Sequence, residues 1–223
     1  ESNAETAREH TAYWARVRDA DLDMAIETLA DMVTDSRLDE GDFAMERGVI
    51  LDELAMGEDS PTDTVHDAFQ LAVHGDRPVG RPVGGTAQAI RDVERADVWE
   101  HYQAHYGPSS LIVAAAGNVD HDHVCERVQA ALEGSPWDGR SASEPRPRRS
   151  TTVTPIDDHD KDITRRRDVT QAHVIIGCEG LSATDPAGPT MSVLLSVLGG
   201  SMSSRLFQEV REKRGLAYTT YAF

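Results

Sequence analysis

The segment Glu46-Arg47-Gly48-Val49-Ile50-Leu51-Asp52-Glu53 sets two carboxylates seven residues apart within Asp39 to Gly57, a stretch whose apolar residues recur at helical spacing. At about 100° per residue, Ile50 and Leu54 fall within roughly 20° of Phe43, and Val49 flanks them. Glu46 and Glu53 then lie between the directions of Val49 and Ile50, inside the apolar stripe, whereas Asp52 points the opposite way. An acid on such a face is exposed by a cleft, paired with a cation or bound to a metal, because burying it bare costs more than a helix can return. On periodicity alone, buried ion pairs with arginines are the simplest of these readings.

A chain of 223 residues with 39% hydrophobic content can bury one large core or two ordinary ones. Its 39 acids against 22 bases leave a net charge of -17, and only Lys161 and Lys213 are lysines. That balance argues against nucleic acid as a partner; it suits an acidic solvated surface and would also favour basic peptides. Cys125 and Cys178 stand alone without C-x-x-C spacing, so neither a disulfide framework nor a structural zinc site is indicated. A reducing, cytoplasmic compartment is therefore expected. No run of about 18 apolar residues exists, so neither a spanning helix nor a membrane partner is expected. The chain opens at Glu1 without Met or signal segment and stops inside strand-like sequence at Phe223, which reads as a piece of a longer protein truncated at both ends.

Local patterns predict one or two strand segments over Ala4 to Val17, then a helix capped by Asp19 or Asp21 and running to about Thr34. After the two-glutamate helix, Ser60-Pro61 marks a boundary and Thr62 to Val73 a further helix. His74 to Thr86 is a Gly- and Pro-rich crossing; no Gly-Lys-Ser/Thr follows, so it is not a phosphate loop. Val93 to Tyr106 reads as a helix and Leu111 to Gly117 as a strand with both faces covered. Asp120 caps a helix to Leu132. Residues 1–133 form one domain in this reading, 134–160 a Pro- and Ser-bearing linker, and 161–223 the first part of a second domain. Within that part His173 to Cys178 is a strand, Thr190 to Leu198 and Ser203 to Arg214 are helices, and Leu216 to Phe223 is a strand.

Nine histidines invite metal hypotheses. His101 and His105 are spaced for chelation from one helix, but Tyr102 stands where H-E-x-x-H requires Glu, so they read as ordinary helix residues. His121-Asp122-His123 sits at a helix start, where Asp and His cap and solvate. Glu9-His10 would end an H-x-x-E-H motif, except that position 6 is Thr6. A serine triad has no G-x-S-x-G to support it.

Five blocks, in order, carry a resemblance. They are Asn3-Ala4-x-Thr6-x-x-Glu9-His10-Thr11-Ala12-Tyr13, Glu46-Arg47-x-Val49-Ile50-Leu51-x-Glu53, Gly80-Arg81-Pro82-x-x-Gly85-Thr86, Tyr106-x-Pro108 leading into Val113 to Val119, and Leu198 to Tyr218. Together they resemble the pitrilysin and insulinase-type zinc peptidases, and among these the bacterial relatives of the mitochondrial processing peptidase. The resemblance implies an α+β, two-domain fold in which each domain is a mostly antiparallel sheet covered by helices. It also implies zinc held by H-x-x-E-H, whose glutamate is the general base, with a further glutamate ligand from a later helix. This sequence has no H-x-x-E-H, which in the family's order would lie upstream of Glu1.

Carried over residue by residue, Glu53 matches the later zinc ligand, and Glu46 the acid one heptad earlier that orients it. Asn3 and Ala4 match the edge strand that pairs with an extended substrate, although Glu5 stands where the family often has an apolar residue. Arg211 and Tyr218 match a pair that stabilises the oxyanion at the zinc of a partner half. The implied activity is zinc-dependent endopeptidase hydrolysis of extended or unfolded peptides by a homodimer or a homologous pair of subunits. The alternative is a non-catalytic structural or partner subunit of the same fold.

Overall fold

The computed structural model describes residues 1–75, 77–140, 162–178, 180–182 and 184–223. The chain divides into two compact units, Glu1–Ile175 and Ile176–Phe223. Most of the stretch read as a linker, residues 141–160, lies outside the described residues.

The first unit opens with an antiparallel hairpin of β1 (Ser2–Thr6) and β2 (Thr11–Ala15), with Asn3 opposite Trp14 and Ala4 opposite Tyr13. A 3-10 turn at Asp19–Asp21 leads into α1 (Leu22–Thr34). Then come α2 (Glu40–Asp59), α3 (Pro61–His74), α4 (Ala87–Asp92), α5 (Arg95–His105) and α6 (His121–Leu132). Their starts follow capping chemistry. Ser60 Oγ accepts from the Asp63 amide with Pro61 at the first helical position, Thr86 Oγ1 accepts from Ala89, and Asp120 Oδ1 accepts from His123 at 2.9 Å. The Thr86 cap creates α4, which the expected single helix from Val93 omitted.

Helix α1 lies against α6 and β2, and α2 against α3 and α4. Charges line the first seam: Arg127 of α6 reaches Glu27 and, at 3.2 Å, Asp23 of α1, and His123 Nε2 is 2.7 Å from Asp23 Oδ1. Among the described residues the buried apolar side chains are Ala68 and Ala72 of α3, Tyr102 of α5, and Trp137. Tyr102 binds α5 to the end of α1, its hydroxyl donating to Val33 O at 2.9 Å and accepting from Ser36 N at 3.4 Å. One turn on, the Tyr106 hydroxyl meets that of Tyr13 in β2 at 3.1 Å. Burial first, and the Tyr106 hydrogen bond second, push the Tyr13 phenol well above its ordinary pKa, so it remains a neutral partner.

Three expected strands are corrected. Leu111 to Gly117, His173 to Cys178 and Leu216 to Phe223 are not in paired strands; β1 and β2 form the sheet found among the described residues. Apolar, β-branched composition favours an extended backbone, but a strand also needs a neighbour for its N–H and C=O groups. No described segment provides one here, and Ile112 and Ile176 are 74% and 91% exposed. The second unit contains α7 (Gly188–Gly199) followed by a helical segment that widens into a π-helical turn over Phe207–Glu212.

Tyr102→Phe removes a buried hydroxyl with two partners and strands the Val33 carbonyl. It should lower the stability of the full-length protein by about 1–3 kcal/mol, read from urea unfolding.

Candidate functional site

Helix α2 turns Phe43, Arg47, Ile50 and Leu54 inward as half-buried residues, at spacings of four, three and four. Glu46 and Glu53 are exposed at the margin of that stripe, which corrects the expectation that they lie within it. Arg47 takes the inward position instead. Its guanidinium stacks over the Phe43 ring at 4.8 Å and donates to Val93 O, so the arginine finds a ring and a carbonyl rather than the two acids. The ion-pair reading fails as well: neither glutamate has a hydrogen bond or ion pair with a described residue.

The two acids therefore share one side of α2, separated by about 10 Å along the axis. An exposed carboxylate without a partner is free to take a cation. Catalytic zinc is held by three protein ligands, and no group of three or more His, Cys, Asp or Glu among the described residues could hold a metal ion. Helix α2 thus fits zinc as the donor of one ligand, not as a complete site. The histidine pairs add no third ligand: the His101 and His105 rings lie 4.3 Å apart, and His121 Nε2 is 3.6 Å from Cys125 Sγ.

The hairpin register separates the roles open to Asn3 and Ala4. Glu1 and Arg16 exchange backbone hydrogen bonds of 2.7 and 3.2 Å, and Ala7 N donates to His10 O. Bonding pairs alternate along an antiparallel ladder, so Asn3 and Glu5 also direct their backbone groups at β2. Ser2, Ala4 and Thr6 direct theirs to the other side, where no described strand pairs with them. Ala4 can therefore offer a backbone to an incoming strand, while Asn3 can act only through its side chain.

The hairpin is tied down at its tip. Arg8 Nη1 donates to Val79 O at 2.5 Å and to Arg81 O at 2.7 Å, anchoring it to the Gly- and Pro-rich crossing. There Pro78–Gly80 makes a tight turn, and a Cβ on Gly80 would lie 2.3 Å from Gly75 O. The role of Arg8 had no local signal, since its acceptors lie more than 70 positions away.

In the second unit the π-helical turn is closed by Lys213 N donating to Gln208 O at 3.0 Å. Gly215, at φ 60°, then reverses the chain in a conformation that suits glycine. Tyr218 is thereby folded back so that the Arg211 guanidinium lies 4.8 Å from its ring and 4.6 Å from that of Phe207. The structure brings Arg211 and Tyr218 together as a stacked pair, with Tyr218 76% exposed. Phe207 was missed as a second aromatic neighbour of Arg211, although its spacing of four before Arg211 is a legible signal.

Comparison with known proteins gives the wider setting. Residues 92–223 match the family model for the peptidase M16 inactive domain, and residues 1–87 that for insulinase, peptidase family M16. The chain belongs to the M16 family. A protein named as an uncharacterized zinc protease in Streptomyces coelicolor is 47% identical over all of this chain and 48% of its own length. One of the same designation in Bacillus subtilis is 34% identical over 99% of this chain and 52% of its own. The chain thus spans about half the length of the curated relatives it matches. Among solved structures, a protease from Helicobacter pylori aligns with a TM-score of 0.77 at 21% identity, covering 99% of this chain and 53% of that one. A peptidase M16 inactive domain from Pseudomonas fluorescens aligns at 0.71 and 16% identity, over 99% and 52%. This M16 chain is accordingly α+β with the M16 peptidase fold, and among its described residues no helix is long and apolar enough to cross a membrane.

Arg8→Gln should loosen the crossing by about 1 kcal/mol, seen as roughly fivefold faster exchange of the Gly80 and Arg81 amides in the full-length protein.

Proposed function

We propose that this chain is part of a zinc metalloendopeptidase that hydrolyses extended peptides, and that it contributes one metal ligand, the substrate edge and the oxyanion pair. The observation that carries the reading is the exposed Glu53 on α2, which has no hydrogen bond or ion pair with a described residue, and a second such acid, Glu46, seven residues before it. Glu53 would ligate the zinc and Glu46 would orient it, through water or a neighbouring ligand. Zinc, when bound, supplies Lewis acidity and an activated water for attack on the peptide carbonyl.

The remaining work falls to this chain's own groups. Ala4 on the open edge of β1 would hold a peptide by backbone hydrogen bonds, which select for an extended conformation more than for side chains. Arg211, with the Phe207 and Tyr218 rings beside its guanidinium, would present charge to the developing oxyanion, and the exposed Tyr218 hydroxyl would donate beside it. In this reading the pair acts at the zinc centre of a partner half, in a homodimer or with a homologous subunit. The free, exposed Cys125 and Cys178 support a reducing, cytoplasmic setting. A second reading, a non-catalytic partner subunit, is favoured by the match of residues 92–223 to the peptidase M16 inactive domain.

In the full-length protein, Glu53→Gln should abolish zinc retention after dialysis, measured as metal content, and Glu46→Gln should weaken it by roughly 10- to 100-fold. Survival of both zinc and peptidase activity in Glu53→Gln would defeat the assignment. Arg211→Lys keeps the charge but loses the planar stack, and should lower kcat by about 10²-fold or more with zinc content unchanged. Zinc-free, inactive wild-type protein is the outcome that supports the non-catalytic reading.

A further inference from the structure

Resting on the reading of β1 as a peptide-binding edge, we infer that the Asn3 side chain is a latch on that edge, which an incoming peptide must displace. Asn3 Oδ1 accepts the Ala4 N–H at 2.8 Å. Ala4 is the central one of the three residues whose backbone faces away from β2. Its amide is the donor a paired strand would use, and in the free chain that donor is already taken.

The arrangement follows from elementary strand chemistry. An open edge exposes a row of donors and acceptors that would recruit any extended chain, and a side-chain carbonyl folded onto the central donor blunts that tendency. The Asn3 backbone is fixed by its bonds to Trp14, whereas its side chain is exposed. The amide can therefore swing away without disturbing the hairpin or any packed neighbour. A peptide carbonyl then replaces Oδ1 on the Ala4 N–H, and a peptide N–H meets the Ala4 carbonyl. Because outward groups recur at every second residue, only alternate peptide residues make these bonds, which fixes a two-residue register without reading any side chain. The latch also sets a threshold: a ligand that makes only one of the bonds merely exchanges a carbonyl for a carbonyl, while an extended peptide engages Ser2, Ala4 and Thr6 together.

The test uses full-length protein and an unstructured alanine- and serine-based peptide, reading peptide affinity by KM and the Ala4 amide by hydrogen exchange after selective alanine labelling. Asn3→Ala should accelerate Ala4 exchange in the free protein to the rate of Thr6. It should also lower KM about 2- to 10-fold with kcat unchanged, as expected for release of one competing hydrogen bond. Asn3→Asp keeps an acceptor and charges it, so it should slow Ala4 exchange and raise KM by a similar factor. If peptide protects Ala4 but Asn3→Ala leaves exchange and KM as they were, the latch is wrong and the edge reading stands. A raised KM in Asn3→Ala makes Asn3 a direct peptide contact and overturns the latch too. If no peptide protects Ala4 in any variant, the edge reading fails and takes the latch with it.

Discussion

Two arginines working in opposite directions fix the orientation of α2. Arg47, from within the helix, reaches Val93 O at the joint between α4 and α5. Arg95, at the start of α5, donates to Leu38 O and, at 3.2 Å, to Arg37 O, just ahead of α2. Leu38 has a φ of 47°, unusual for a branched side chain, and its carbonyl is one that Arg95 captures. Each guanidinium also lies over an aromatic ring of its own helix, Phe43 for Arg47 and Trp99 for Arg95. With both ends of this clasp made, the helix cannot roll, and Phe43, Ile50 and Leu54 are committed inward. The two glutamates are then left exposed at the margin, without a bond to a described residue, the state a metal-binding carboxylate would need and a buried ion pair would deny it.

That clasp also explains what periodicity could and could not reveal. The spacing of Phe43, Ile50 and Leu54 made α2 legible, and Ser60 and Asp120 announced α3 and α6, because caps and helical faces are local. Where Arg47 points is decided by a carbonyl 46 positions away, which no window on the sequence contains. The strands fail for a related reason. Thr11 to Ala15 and Ser2 to Thr6 are joined by a short turn and find each other, whereas Leu111 to Gly117 has strand composition but no described neighbour with which to form a ladder. Apolar content sets a preference for extended backbone; pairing is a property of two segments.

The candidate site was legible mainly as motif order, since each member alone has a plainer explanation. Glu53 is a surface acid, Asn3 an edge asparagine and Tyr218 an exposed tyrosine. Geometry sharpens the list rather than lengthening it. The hairpin register assigns backbone chemistry to Ala4 and leaves Asn3 its amide, a division invisible in the residue names. The π-helical turn and the left-handed Gly215 bring Arg211 against Tyr218, although a seven-residue separation in an unbroken helix would place them about 10 Å apart along the axis.

The stacked arginine bears on how such a pair would act. A guanidinium in open water gains little by approaching an oxyanion, because solvent must first reorganise around both charges. With the Phe207 and Tyr218 rings at 4.6 and 4.8 Å, the Arg211 guanidinium already has two aromatic neighbours that limit where it can lie. Its Nε lies 3.7 Å from Glu212 Oε1, too far for a hydrogen bond, so the neighbouring acid tempers the charge without consuming a donor. In the proposed role, the rings would do for the arginine what a preorganised site does for a charged catalyst, lowering in advance the orientational cost of binding. A lysine in the same place would carry equal charge and none of that order.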